Sequence, residues 1–150
     1  MRRFTLFLSS NAGLGYFPLA PGTFGSLAGI PMFYLLAGLP AGLYLATWTA
    51  LLFVSFWICD TAGGIYGQAD DGRIVLDELV GYLTTTALLP FSWQNALFGF
   101  VFFRLFDIFK LPPARQIDHH LKNGVGVVLD DVIAGLYGAA TLRLTLHLLG

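Results

Sequence analysis

The chain has 150 residues, of which 56% are hydrophobic and only 11% charged, and its formal net charge is -1. An ordinary soluble domain carries roughly 25% charged residues, so this composition excludes a conventional water-soluble globule and points to one membrane domain over 1–150. The net charge itself says little about partners, because the placement of the few charges decides, and no nucleic-acid partner is expected; the single cysteine, Cys59, excludes an intrachain disulfide.

The opening MRRFTLFLSSNAG has the basic start of a signal peptide, but its apolar run from Phe4 to Leu8 is shorter than the roughly 7 to 15 residues of a leader, so no cleaved leader is predicted. From Phe4 to Cys59 there is no Asp, Glu, Lys or Arg. Within that stretch PLAPGTFGSLAG (Pro18 to Gly29) stands out. Pro21 and Gly22 force a turn, Thr23 or Ser26 can cap the following helix, and Gly25 lets another backbone come close. Such a helix start, with free N–H groups, can cradle a phosphate. Five hydrophobic segments follow one another: Gly25 to Leu39, Ala41 to Cys59, Ile74 to Leu89, Trp93 to Phe109 and Val125 to Leu149. The predicted fold is therefore all-α, a polytopic membrane helix bundle of four to five hydrophobic helices. Pro31 leaves the first segment open either to cross or to be re-entrant or interfacial. The segment ends are set by LPFSW around Pro90 and by the charged loop KLPPARQIDHHLKNG from Lys110 to Gly124. Trp48, Trp57 and Trp93 suit membrane interfaces or packing.

Counted as five spans that alternate in direction, the segments put the N-terminus, the Asp60 to Arg73 loop and the Lys110 to Gly124 loop on one side. That side collects Arg2, Arg3, Arg73, Arg104, Lys110, Arg115 and Lys122, and the other holds only Arg143. By the positive-inside bias the crowded side is cytoplasmic.

The same geometry gathers carboxylates. Asp77 and Glu78 stand at the start of the third segment, Asp107 at the end of the fourth, and Asp130 and Asp131 near the start of the fifth, all on one face of the membrane. An Asp at a helix centre costs about 2.5 to 3.5 kcal/mol on insertion scales, so five need neutralising. Arg104, three residues before Asp107 on one helical face, and Lys110 are near. Two bases do not balance five acids. A divalent cation with all-oxygen ligands, magnesium or manganese over zinc, completes the balance. Asp60, Asp70 and Asp71 read as solvated loop charges outside the site. His119 and His120 are adjacent and point apart, which argues against a shared metal.

With these residues in hand, the chain resembles the phosphatidylglycerophosphatase A family of bacterial membrane lipid phosphatases. The resemblance is carried in order by GYFPLAPGTFGSLAGIP, IVLDELVGY, FRLFDIFK and GVGVVLDDVIAGLYGA, and it covers almost the whole chain. It implies removal of the terminal phosphate of phosphatidylglycerophosphate to give phosphatidylglycerol, with Mg2+ required, at the cytoplasmic face of a bacterial inner membrane. The family's acidic positions fall on Asp77, Glu78, Asp107, Asp130 and Asp131, and its basic ones on Arg104 and Lys110. In this reading Asp107, Asp130 and Asp131 lead as metal ligands, and Asp77 or Glu78 is a ligand or the general base. Arg104 and Lys110 hold phosphoryl oxygens, and Thr23 and Ser26 add donors. Attack by water and by a carboxylate nucleophile both remain open. The lipid's acyl chains would lie between small faces such as Gly81 and the Gly135 to Ala140 run.

This chain departs from the family pattern where Leu111 precedes Pro112 and Pro113, and where Asn123-Gly124 replaces a glycine pair. Two other classes share membrane acids. A CDP-alcohol phosphotransferase needs a longer signature than DDGRIV at Asp70 supplies, and an ion or solute carrier needs polar groups at the midplane. Nothing in the sequence sets an oligomeric state.

Overall fold

The computed structural model describes residues 1–150 and is all-α. In chain order the helices are α1 (Arg2–Ser9), α2 (Pro21–Leu27), α3 (Gly29–Leu36), α4 (Ala41–Tyr66), α5 (Leu76–Thr85), α6 (Trp93–Phe109), α7 (Ala114–His120) and α8 (Gly124–Leu149), with a 3-10 turn at Leu14–Tyr16. Helices α4 and α8 have 26 residues each and are apolar enough to cross a bilayer. At 1.5 Å per residue each is about 39 Å long, against a hydrocarbon core of about 30 Å.

The other hydrophobic segments give shorter helices. Gly25 to Leu39 is broken at Ala28 into α2 and α3, neither longer than 8 residues. The third segment yields only the 10-residue α5, about 15 Å long. Its residues are buried throughout except for the half-buried Glu78. This helix is hydrophobic because it is the axis of the bundle, wrapped by α3, α4, α6 and α8. Phe33, Tyr44, Ala96 and Phe103 pack on one side of it, and Ile58, Cys59, Val128 and Val132 on another. Leu43, Phe53, Val54 and Trp57 of α4 and Leu97, Val101, Ile108 and Phe109 of α6 face outward. An apolar exterior of this kind marks an interaction surface.

The most extensive contact joins α5 to α8. A side chain on Gly135 would strike the Gly81 carbonyl, and one on Gly81 would strike the Phe103 ring and, at 2.8 Å, the Asp131 carbonyl. Both backbones therefore need glycine to approach. This seam also corrects part of the expectation for the acyl chains: Gly81 and Gly135 are buried against each other and leave no room between them, while Leu136, Ala139 and Ala140 of the same run line an apolar cavity.

Local signals explain the ends of the helices. Asn123 Oδ1 accepts from the Gly126 N–H at 2.9 Å and Ser92 caps α6 through the Asn95 N–H at 3.0 Å. Gly67 stops α4 with φ 78°. Neither Thr23 nor Ser26 caps α2. Ala20 is its N-cap residue and Pro21 takes the first helical position, while the Ser26 hydroxyl donates to the Gly22 carbonyl at 2.8 Å.

Candidate active site

At one end of the bundle, a cleft of about 370 Å³ is lined by residues of α2, α5, α6 and α8 and by two loops. It contains Asp77, Glu78, Arg104, Asp107, Lys110, Asp130 and Asp131 together. The α5–α8 seam is the reason three of these groups meet. Gly81 lies one turn beyond Asp77 and Glu78, Gly135 lies one turn beyond Asp131, and closing the glycines brings those acids side by side.

The seven groups divide into two kinds. Asp77, Glu78 and Asp131 each offer an oxygen within 4.8 Å of the others. Asp77 Oδ1, Glu78 Oε2 and Asp131 Oδ2 are buried without any hydrogen-bond partner. Buried carboxylate oxygens with no donor are expensive, and three of them converging is the donor set of a hard divalent cation. The residues present fit such an ion.

The other acids are already paired. Arg104 Nη1 donates to Asp107 Oδ2 within α6, as their spacing of three predicts. Lys110 Nζ donates to Asp130 Oδ2 at 2.7 Å and lies 3.3 Å from Asp118 Oδ1 of α7. Partial burial works against the Lys110 ammonium, but Asp130 and Asp118 outweigh it and hold its pKa above the usual lysine value. Lys110 also ends α6 in the left-handed region, at φ 43°, which turns the chain into the α7 loop. The converging trio thus includes Asp77, whereas Asp107 and Asp130, which lead as ligands in the family reading, stand in ion pairs. Spacing along helices reveals shared depth, whereas the ion pairs are decided by side-chain reach.

The structure brings the start of α2 to the cleft through its backbone: Ala20, Pro21 and Gly22 line it, and Thr23 and Ser26 do not. Ser26 is fully buried. A β-carbon on Gly22 would lie 2.6 Å from Glu78 Oε1 and 3.2 Å from Arg104 Nη1, so glycine is what lets those groups come up to the helix.

The aspartates read as solvated loop charges have three different places. Asp71 pairs through both oxygens with Arg73, at 2.7 and 2.8 Å. The bond from the guanidinium lowers its pKa against the opposing effect of partial burial. Asp60 belongs to α4, which runs seven residues beyond Cys59, and its Oδ1 accepts from the Gly124 N–H at 3.0 Å. Asp70 lines the cleft, exposed at its mouth. The adjacent Gly72, which also lines the cleft, was the available signal that this loop folds back.

The family model for phosphatidylglycerophosphatase A matches residues 7–146. The Escherichia coli (strain K12) phosphatidylglycerophosphatase A is 37% identical over 141 residues, covering 93% of this chain and 82% of that protein. Its Haemophilus influenzae namesake is 40% identical over 132 residues, covering 87% and 81%. A relative from Bacteroides thetaiotaomicron, provisionally named a phosphatidylinositol-3-phosphatase, is 32% identical over 151 residues, covering 95% and 94%. No solved structure matches the chain. Both the matched family model and relatives spanning nearly the full length lead to one conclusion: the chain belongs to the phosphatidylglycerophosphatase A family.

Proposed function

We propose that the protein hydrolyses the terminal phosphate monoester of phosphatidylglycerophosphate, giving phosphatidylglycerol and inorganic phosphate, with Mg2+ held by Asp77, Glu78 and Asp131. The observation that carries the reading is the convergence of three partnerless buried carboxylates beside two cationic side chains in one cleft. Family membership supplies the reaction class and sets aside the carrier and CDP-alcohol phosphotransferase readings.

A phosphate monoester resists attack because it is doubly negative, so its charge must be offset while the attacking oxygen is aligned. Bound Mg2+ supplies Lewis-acid compensation of that charge. Arg104 and Lys110 turn from Asp107 and Asp130 to the phosphoryl oxygens, and the guanidinium fork is suited to holding two of them. Asp107 Oδ2, released by Arg104, accepts the proton of the attacking water and returns it to the glycerol oxygen as the ester P–O bond breaks. The backbone at Gly22 closes the cleft without taking its volume.

The lipid keeps its chains in the bilayer and presents only its head to this cleft. In this reading α4, α6 and α8 lie in a bacterial inner membrane, with α5 shielded inside them and the cleft at the cytoplasmic face. The outward apolar residues of α4 and α6 support it, as does the crowding of Lys and Arg at the cleft end.

The test is phosphate release by the purified chain in mixed micelles of phosphatidylglycerophosphate, with Mg2+ and with excess chelator, alongside phosphatidylinositol 3-phosphate. Release of phosphate from phosphatidylglycerophosphate that stops with chelator is expected. Preferential cleavage of the inositol lipid would overturn the head-group assignment, and no release from either lipid would overturn the reaction.

A further inference from the structure

The turn between α1 and the 3-10 segment has backbone that sequence alone does not explain. Asn11, Ala12 and Gly13 all have positive φ, at 48°, 60° and 99°. The left-handed region is costly for a residue with a β-carbon, and consecutive examples persist only where surrounding contacts hold them. Here the result is to aim one carboxamide. Asn11 Nδ2 donates to the Val75 carbonyl at 2.8 Å and reaches the Gly25 carbonyl at 3.4 Å.

Those two carbonyls belong to the two pieces of chain that build one wall of the cleft. Val75 immediately precedes α5, whose first turn carries Asp77 and Glu78. Gly25 lies in α2, whose Gly22 backbone meets Glu78 and Arg104. The neighbouring contacts reinforce the same junction. The Val75 N–H donates to the Ser9 carbonyl at 2.8 Å. A β-carbon on Gly25 would lie 2.6 Å from the Val75 β-carbon, and one on Gly15 would strike the Arg73 carbonyl. The N-terminal turn is thus pressed along residues 73–75, and Asn11 is the only side chain in it that bridges both α2 and the start of α5.

We propose that Asn11 is a positioning residue for the acid site, its carboxamide fixing α2 against the first turn of α5 so that Asp77 and Glu78 are held in register with Asp131 for a cation. This rests on the cation-dependent phosphatase reading above. Asn11 touches neither substrate nor cation; it acts through the backbone that carries two of the three carboxylates.

Two substitutions separate the carboxamide from the turn. Asn11→Gly suits positive φ and removes only the amide. Asn11→Asp keeps the shape and turns an acceptor toward two carbonyls. Full-length protein in detergent is examined by amide hydrogen exchange, by Mn2+ binding followed by electron paramagnetic resonance without substrate, and by steady-state kinetics. In both variants, exchange in residues 22–26 and 75–78 should rise about ten-fold over the natural chain, with α6 and the far half of α8 unchanged. Mn2+ affinity and kcat should each fall about ten-fold while KM stays within about two-fold.

Faster exchange with unchanged Mn2+ affinity and kcat overturns the proposal, because the bond then serves folding alone. Unchanged exchange overturns it as well. Absence of Mn2+ binding in the natural chain strikes the cation reading instead, and the exchange result still decides whether Asn11 holds α2 to α5.

Discussion

Replacing Gly22 by alanine asks whether the start of α2 is part of the site or only a neighbour of it. The new β-carbon would sit 2.6 Å from Glu78 Oε1, and ordinary contact begins near 3.4 Å, so one of the two must retreat by roughly 0.8 Å. The helix backbone is fixed by Pro21 on one side and the Gly25–Val75 contact on the other. The movable partner is the Glu78 carboxylate, and its retreat pulls an oxygen out of the converging trio. Misplacement of a reacting or liganding group by about 1 Å costs on the order of 10²-fold in rate, so a loss of about 30- to 100-fold in kcat is expected. Stability should move the other way or not at all, since alanine is favoured over glycine inside a helix by about 0.8 to 1 kcal/mol. Thermal unfolding in detergent and phosphate release on the same preparation distinguish the two effects. Activity within about three-fold of the natural chain, or a loss that follows a drop in melting temperature, refutes the reasoning.

Asp131→Asn should abolish most cation-dependent activity while leaving the cation-free protein at least as stable as the natural one, because a buried charge without a partner is removed. Added Mg2+ should then raise the melting temperature of the natural chain but not of the variant; equal stabilisation of both would remove Asp131 from the ligand set. Gly81→Ala tests the seam. Its β-carbon meets the Phe103 ring and the Asp131 carbonyl, which is backbone and cannot rotate away, so a destabilisation of about 2 kcal/mol or more is expected, and a melting temperature unchanged from the natural chain would show that the seam opens freely.

Much of the site was legible because acids are costly in apolar sequence. Asp77, Glu78, Asp107, Asp130 and Asp131 stand out against uncharged neighbours, and the alternation of helix direction is enough to bring them to one end. The identity of the converging trio was not legible. It depends on Arg104 reaching Asp107 and Lys110 reaching Asp130, and for Lys110 on a left-handed backbone turn that no periodicity reports. Helix lengths failed for a related reason. Hydrophobicity marks what avoids water, and α5 avoids it by sitting at the centre of the bundle, so its segment resembled a lipid-facing span. Asn11 was hidden because a single carboxamide in a small-residue turn carries no pattern.

The pairing of Arg104 with Asp107 and of Lys110 with Asp130 gives the cleft an internal rival for every anion that enters it. Binding is then an exchange of one negative partner for another, and only a group with strong, multiply charged oxygens displaces both carboxylates. On the proposed mechanism carboxylates and phosphodiesters, with less charge to offer, would displace Asp107 and Asp130 less well. By the same mechanism the exchange would run backwards after hydrolysis: once Asp107 has passed its proton to the departing alcohol, Asp107 and Asp130 would pair again with Arg104 and Lys110 and so help clear the site for the next lipid.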